Sequence, residues 1–117
     1  MSFNVSDIDI TRSGWLTKQC KYSKKWKRVW FTLRASQLLY GDSEQGPFKP
    51  IPLHGTVIEE CNVKGMKYVF RLRPPKSNRD YLIQAPDQTE EQMWMQAICF
   101  AKVGASDTGN SSLCIVQ

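Results

Sequence analysis

Residues 21–31, KYSKKWKRVWF, combine the chemistry of anion binding with the residue types of a folded core. Five of these eleven residues are Lys or Arg, four are aromatic and none is acidic. Lysine and arginine bind phosphate through charge-assisted hydrogen bonds, which makes such a cluster a candidate anion site. The wider stretch from Arg12 to Arg34 holds eight of the chain's 16 basic residues and no acidic one. The sequence therefore predicts that positive charge is concentrated at one place.

Length and composition limit the classes of function. A chain of 117 residues is one domain, and its net charge of +5 indicates an anionic partner: a phospholipid headgroup, a nucleic acid or an acidic protein surface. Its four cysteines are too irregularly spaced for a zinc knuckle or a redox pair, and His54 is the only histidine, so we expect no metal and no cofactor. Without a signal peptide or a long apolar run, we expect a cytoplasmic location.

Hydrophobic alternation predicts a mainly β fold. Runs with a period of two indicate seven strands, at residues 14–20, 26–34, 37–40, 49–53, 56–63, 67–73 and 80–85. A helix follows at 88–103, where Trp94, Ile98 and Ala101 recur on one face. Two pairs fit the spacing of a capping box at its start: Asp87 with Glu90, and Thr89 with Gln92. Strand after strand, then one helix, favours an antiparallel sandwich or barrel whose open end the helix closes.

Side-chain parity places two lysines together. Successive residues of a strand face opposite sides, so Lys18 shares a face with the core residue Leu16. Lys27 likewise shares the face of Val29 and Phe31, which, with Leu33, Phe70, Trp94 and Ile98, we expect to be buried. Lys18 and Lys27 lie near the loop that joins their strands, where they would form the floor of an anion pocket beneath the lysines of residues 21–25.

Several of these residues have a second interpretation. Trp26 and Trp30 share the outer parity of Arg28, so they either cover apolar surface or line a separate outer groove. The loop lysines could serve solubility alone, and Tyr40 could be structural. We expect Trp94 to be a core residue.

The ends of the chain suggest a further division. Residues 1–12 are predicted to be a flexible segment, 13–104 the folded domain and 105–117 a flexible polar tail. The chain ends in CIVQ, which fits a C-a-a-X prenylation box with Cys114 as the lipidated residue, provided that Gln117 is the natural C-terminus.

The order of these motifs resembles the pleckstrin homology (PH) domain family. The resemblance covers residues 13–103: GWLTK, a basic loop, KKWKRVWFTL, a short LLY strand and a closing helix with Trp94 near its middle. It implies a seven-stranded, strongly bent and partly open barrel capped by one C-terminal helix. It also implies phosphoinositide binding at the end surrounded by the first–second, third–fourth and sixth–seventh strand loops.

The family's headgroup motif can be carried over residue by residue. Lys18 and Lys27 fill its first two places, whereas the third, an Arg in the family, is Val29 here. Arg28 comes one residue early and should face outward. Tyr40 matches the family's third-strand tyrosine. The residues that we expect to bind a phosphoinositide are Lys18, Lys21, Lys24, Lys25, Lys27, Arg28, Tyr40, Lys49, Lys76 and Arg79.

These observations favour a non-catalytic membrane-targeting adaptor module that binds anionic phosphoinositides of the cytosolic leaflet and associates peripherally with membranes. The alternative is a PH-like protein-interaction domain with little or no lipid affinity, which docks a signalling partner; Val29 favours it. Nucleic-acid binding ranks third, because the basic residues cluster at one end instead of following a groove. An enzyme is disfavoured, since no Gly-rich phosphate loop, general base or carboxylate pair is evident and no catalytic residue can be assigned.

Overall fold

The computed structural model describes residues 10–76 and 78–105, and this part of the chain consists of seven strands followed by one helix. In chain order, these are β1 (Ile10–Gln19), β2 (Trp26–Arg34), β3 (Gln37–Gly41), β4 (Lys49–Ile51), β5 (Val57–Glu60), β6 (Val69–Arg73), β7 (Tyr81–Gln84) and α1 (Gln88–Ala105). The predicted fold class, a mainly antiparallel β domain with one C-terminal helix, is confirmed.

The strands form one sheet in the order β4-β3-β2-β1-β7-β6-β5, with every neighbouring pair antiparallel. The first and last strands of the chain meet through a short stretch of pairing, Thr17 with Gln84 and Lys18 with Ile83. The helix α1 contacts β1, β2 and β3 on one side of this junction and β5 and β6 on the other. The sheet must therefore curve around the helix.

Element boundaries differ from the sequence prediction at several points. The first strand begins at Ile10, four residues before the predicted start, because Ile10 pairs with Arg34 and Arg12 with Leu33 of β2, across a shift of register between the two pairs. The sixth strand begins at Val69, because Tyr68 before it has a positive φ of 65°, a conformation that strand residues do not adopt. The helix continues to Ala105, two residues beyond the predicted end at residue 103.

The core contains all six residues that the sequence predicted to be buried together: Leu16, Phe31, Leu33, Phe70, Trp94 and Ile98. Trp94 is 1% exposed and meets the ring of Phe31 edge-on, with centroids 6.3 Å apart. The closing helix is thus fixed by aromatic packing against the strand that carries Lys27.

Polar contacts fix the N-terminal end of α1. An Asp87 side-chain oxygen accepts a hydrogen bond of 2.8 Å from the backbone N–H of Glu90, which is one of the two hydrogen bonds of the first predicted capping box. Thr89, the alternative cap, lies inside the first turn. Arg12 of β1 donates to both carboxylate oxygens of Glu90 at 2.9 Å, which links the helix to the first strand.

Three predictions fall wholly or partly outside the described residues. They are the flexible segment at 1–12, which is described only from Ile10, the polar tail at 105–117, and lipidation of Cys114. Within residues 10–76 and 78–105, α1 is the one helix, and it lacks an apolar stretch long enough to cross a bilayer.

Candidate anion-binding cleft

The two lysines that parity placed together are direct cross-strand partners. Lys18 of β1 pairs with Lys27 of β2, beside the loop that joins the two strands. Both line a cleft of about 550 Å³ at this end of the barrel. Its walls come from the β1–β2 loop, the end of β3, the start of β4 and the β6–β7 loop, and its lining residues are Lys18, Cys20, Lys21, Tyr22, Lys27, Val29, Tyr40, Gly41, Asp42, Pro47, Lys49 and Arg79.

Lys18 lies at the floor of the cleft and is 6% exposed. Its ammonium lies 4.9 Å from the ring centroid of Tyr40 and 5.6 Å from that of Tyr81, both within cation–π range. It donates one hydrogen bond of 3.3 Å to the backbone carbonyl of Gln19. Burial, followed by the positive charge of Arg79, lowers the pKa of Lys18 from 10.5 to about 8. A partly desolvated ammonium of this kind would gain strongly from a bound anion.

Strand register explains why two further residues reach the cleft. Tyr40 is the β3 partner of Phe31 and also the partner of Lys49 on β4. Partners directly opposite each other place their side chains on the same face, so the register that points Phe31 into the core turns Tyr40 and Lys49 to the cleft side.

The β6–β7 loop contributes Arg79. Its guanidinium lies 4.4 Å from the centroid of the Tyr81 ring, the same ring that Lys18 approaches. Arg79 is the second cause of the lowered pKa of Lys18. Two cations held around one ring repel each other, so an anion between them would relieve that repulsion.

Lys27 differs from its partner because it already has a carboxylate. Its ammonium lies 2.8 Å from Oδ1 of Asp42, the residue that follows β3. This hydrogen bond and ion pair raise the pKa of Lys27 and lower that of Asp42. Both side chains remain largely accessible, at 54% and 79% exposure, so an incoming phosphate could compete for the lysine.

Val29 lies in the cleft wall two residues beyond Lys27, and it is 5% exposed. This is the place where the family motif has an arginine. Its neighbour Arg28 lies on the opposite face of β2, with its guanidinium 4.6 Å from the Trp15 ring. Arg28 therefore lies outside the cleft, which agrees with its outward parity and contradicts its inclusion among the expected binding residues.

Three other predicted binding residues do not line the cleft. Lys24 lies on the far side of the β1–β2 loop. Lys25 and Lys76 are exposed to solvent, and neither lines the cleft. Trp30 packs edge-on against Trp15, with centroids 5.4 Å apart, so the interpretation of Trp30 as a surface-packing residue has direct support.

The β1–β2 loop forms a hydrogen-bonded turn that positions Lys21 and Tyr22. The Cys20 N–H donates to the Lys25 carbonyl at 2.7 Å, and the Lys24 N–H donates to the Cys20 carbonyl at 3.2 Å. Tyr22 is 87% exposed at its tip. The cleft rim therefore includes an aromatic side chain next to Lys21, whose ammonium lies 5.2 Å from the Tyr22 ring.

The sequence analysis missed five cleft residues: Cys20, Tyr22, Gly41, Asp42 and Pro47. Gly41, Asp42 and Pro47 lie in the stretch GDSEQGP, between the predicted third and fourth strands, to which no binding residue was assigned. A detectable signal existed for Gly41 and Asp42, since they directly follow Tyr40, the last residue of the predicted third strand and a predicted binding residue. Pro47 offered no such signal, because its position depends on the path of the whole loop.

The arrangement can bind an anion with several charges. Five cations (Lys18, Lys21, Lys27, Lys49 and Arg79) and one carboxylate, Asp42, line the cleft. Tyr40 adds a hydroxyl donor. In the described part of the chain, no group of His, Cys, Asp and Glu is arranged to hold a metal ion.

Comparison with known proteins decides the family. The family model of the PH domain matches residues 10–103. This chain belongs to the PH domain family. Mouse Rho GTPase-activating protein 24 is 33% identical over 100 residues, covering 75% of this chain and 13% of its own length. A PH domain-containing protein of Dictyostelium discoideum is 35% identical over 92 residues, covering 74% of this chain and 20% of its own. The chain thus spans a fifth or less of these two relatives.

Solved PH domains have the same fold. The C-terminal PH domain of pleckstrin, in complex with D-myo-Ins(1,2,3,4,5)P5, superposes with a TM-score of 0.69 at 29% identity, covering 79% of this chain and 97% of that one. The PH domain of human pleckstrin homology domain-containing protein family A member 5 also gives 0.69 at 29% identity, covering 80% and 77%. The resemblance inferred from the sequence is confirmed.

Proposed function

We propose that this PH domain is a non-catalytic adaptor module that binds the multiply phosphorylated headgroup of inositol lipids in the cleft and thereby associates with the cytosolic face of membranes. The observation that carries the proposal is the convergence of Lys18, Lys27, Lys49 and Arg79 on one cleft. The inositol pentakisphosphate bound by the pleckstrin PH domain supports it, because that ligand belongs to the same chemical class.

The cleft chemistry indicates how the headgroup would be held. Lys18 would meet a phosphate at the floor, where low solvent access strengthens the ion pair, and Lys27 and Lys49 would meet phosphates at the walls. Lys21 and Tyr22 at the rim would lie closest to the bilayer, where each basic residue adds about 1 kcal/mol of attraction to anionic lipid.

Val29 argues for low selectivity among isomers. An arginine in its place would offer a forked pair of donors, whereas lysines offer less directional charge. We therefore expect affinity to depend on the total charge of the ligand more than on the positions of its phosphates. We also expect it to fall steeply as added salt screens the exposed charges.

The test is titration of the domain with inositol hexakisphosphate and with vesicles that contain different phosphoinositide isomers, at two salt concentrations. The double variant Lys18→Met with Lys27→Gln should lose at least a hundredfold in affinity, because a charge-assisted hydrogen bond contributes about 1.5–3 kcal/mol. The control, Lys64→Met with Lys67→Gln, removes the same charge outside the cleft and should lose little.

The second candidate is a protein-interaction domain, and Val29 in the cleft wall is the observation that favours it. Binding of wild type to no inositol phosphate and to no vesicle would support this candidate and contradict the first. Tight, salt-insensitive binding of a single isomer would contradict the charge-dominated mechanism. Lipidation of Cys114 remains a separate prediction, which mass measurement of the natural C-terminus would test.

A further inference from the structure

Asp42 is the one carboxylate among the side chains that line the cleft, within the part of the chain described. It directly follows Gly41, the last residue of β3, and its Oδ1 lies 2.8 Å from the Lys27 ammonium. A negative charge at this place opposes the binding of an anion. Its presence in a cleft of cations therefore requires an explanation other than phosphate binding.

We propose that Asp42 is a specificity-determining residue that acts as a resident counter-anion: it occupies Lys27 in the free domain and must give up that ion pair when a phosphate arrives. The inference rests on the proposed function, since it assigns a role within the same cleft. Because the carboxylate repels every phosphate near it, its effect grows with ligand charge. Asp42 thus lowers the affinity most for the most highly phosphorylated headgroups. As a result, the difference in affinity between ligands of high and low charge becomes smaller.

The backbone on both sides holds Asp42 in this position. Gly41 pairs with Trp30 of β2, and a Cβ at Gly41 would lie 2.6 Å from the Pro47 carbonyl oxygen, so the chain passes tightly against the far side of the loop. Immediately after Asp42, Ser43 accepts a hydrogen bond from the Gly46 N–H at 3.1 Å and donates its hydroxyl to the Gly46 carbonyl at 3.0 Å. These contacts place the backbone of Asp42 at the cleft wall, from which its side chain reaches Lys27.

The charges around Asp42 keep it ionised. The hydrogen bond and charge of Lys27 lower its pKa most, and the charge of Lys49 lowers it further. Asp42 thus interacts with two of the cations that the headgroup needs. A phosphate bound to either lysine would lie near this carboxylate. The repulsion by Asp42 therefore increases with the number of phosphates on the ligand.

A nearby residue provides a matched control. Glu44 lies two residues further along the same loop, is exposed and does not line the cleft. Asp42→Asn and Glu44→Gln change the net charge of the domain by the same amount. Any effect of overall charge alone should therefore be equal in the two variants, whereas an effect of the cleft carboxylate should appear only in Asp42→Asn.

The experiment is calorimetric titration of wild type, Asp42→Asn and Glu44→Gln with inositol hexakisphosphate and with inositol 1,4-bisphosphate. Asp42→Asn should bind the hexakisphosphate about tenfold more tightly, and the bisphosphate by a smaller factor, since a like charge beside the ligand is removed. Glu44→Gln should stay within about twofold of wild type for both, because an exposed charge outside the cleft is screened. In a Lys27→Gln background the part of the gain that comes from freeing Lys27 should be lost, whereas the part that comes from removing like-charge repulsion should remain.

The outcomes separate this inference from the proposed function. Equal affinities for Asp42→Asn and Glu44→Gln, with wild type binding both ligands, would overturn the inference and leave the proposed function intact. Weaker binding by Asp42→Asn would also overturn it, since the carboxylate would then serve to position Lys27 for the ligand. If neither wild type nor any variant binds inositol phosphates or phosphoinositide vesicles, the proposed function fails and the inference fails with it.

Discussion

Replacing Lys18 with methionine should stabilise the folded domain while weakening headgroup binding. Lys18 is 6% exposed as a residue, and its surroundings lower its pKa from 10.5 to about 8. Because one pKa unit corresponds to about 1.4 kcal/mol, keeping this group charged at neutral pH costs the folded state roughly 3 kcal/mol. Methionine has a similar length and no charge, so it removes that cost.

Contacts that the lysine makes offset part of the gain. Its cation–π contacts with Tyr40 and Tyr81 contribute about 0.5–1 kcal/mol each. We therefore expect Lys18→Met to raise the free energy of unfolding by about 1–2 kcal/mol at pH 7, which corresponds to about 5–10 °C in melting temperature for a domain of this size. Urea denaturation at pH 7 measures the change.

The dependence on pH identifies the cause. The pKa of Lys18 is lower in the folded than in the unfolded state, so between pH 8 and pH 10.5 the unfolded chain binds more protons and the stability of wild type rises with pH. The advantage of Lys18→Met should be complete below pH 8 and disappear towards pH 10.5. Lys64→Met, at an exposed position, should change stability by less than about 0.5 kcal/mol. A Lys18→Met protein less stable than wild type at pH 7 would refute this reasoning.

Two further predictions concern protonation and backbone strain. At pH 8.5, headgroup binding should take up protons, because a phosphate beside Lys18 raises its lowered pKa; calorimetry in two buffers of different ionisation enthalpy measures this, and identical enthalpies would contradict it. Ala35 in the β2–β3 turn has a φ of 51°, so Ala35→Gly should stabilise the domain by about 0.5–1 kcal/mol in urea denaturation. Ser36→Gly is the control in the same turn, and it should not stabilise.

The periodicity of the strands predicted more than the order of elements. Alternation with a period of two is a local property, and it placed Lys18 and Lys27 on the same face as Leu16 and Phe31 before any pairing was known. Their pairing as direct partners follows from the short loop between the strands. The helix could be predicted equally well from the sequence, because its apolar face and its Asp87 cap are both local signals.

The loops of the cleft were less predictable, because their positions depend on contacts between distant parts of the chain. Arg79 was included for its charge, and its contact with the Tyr81 ring could not be inferred from spacing. Lys24, Lys25 and Lys76 have the same charge in the same loops, yet the turn geometry directs them away from the cleft. Charge in a loop sequence therefore indicates a binding end, whereas the fold decides which cations reach the ligand.

Lys18 and Lys27 are cross-strand partners, but their side chains differ in solvent exposure and in charge neutralisation. Lys27 is exposed and paired with Asp42, so its charge costs the folded state little. Under the proposal, this ion pair must break before Lys27 can bind a phosphate. Lys18 is buried, and its ammonium donates a hydrogen bond to the Gln19 carbonyl and lies near the rings of Tyr40 and Tyr81 and the charge of Arg79. We therefore expect its charge to destabilise the folded domain, and a bound anion would offset that cost. A domain selected for stability alone would have an apolar residue at this position, so Lys18 adds independent support to the proposal that the convergent cations bind an anion.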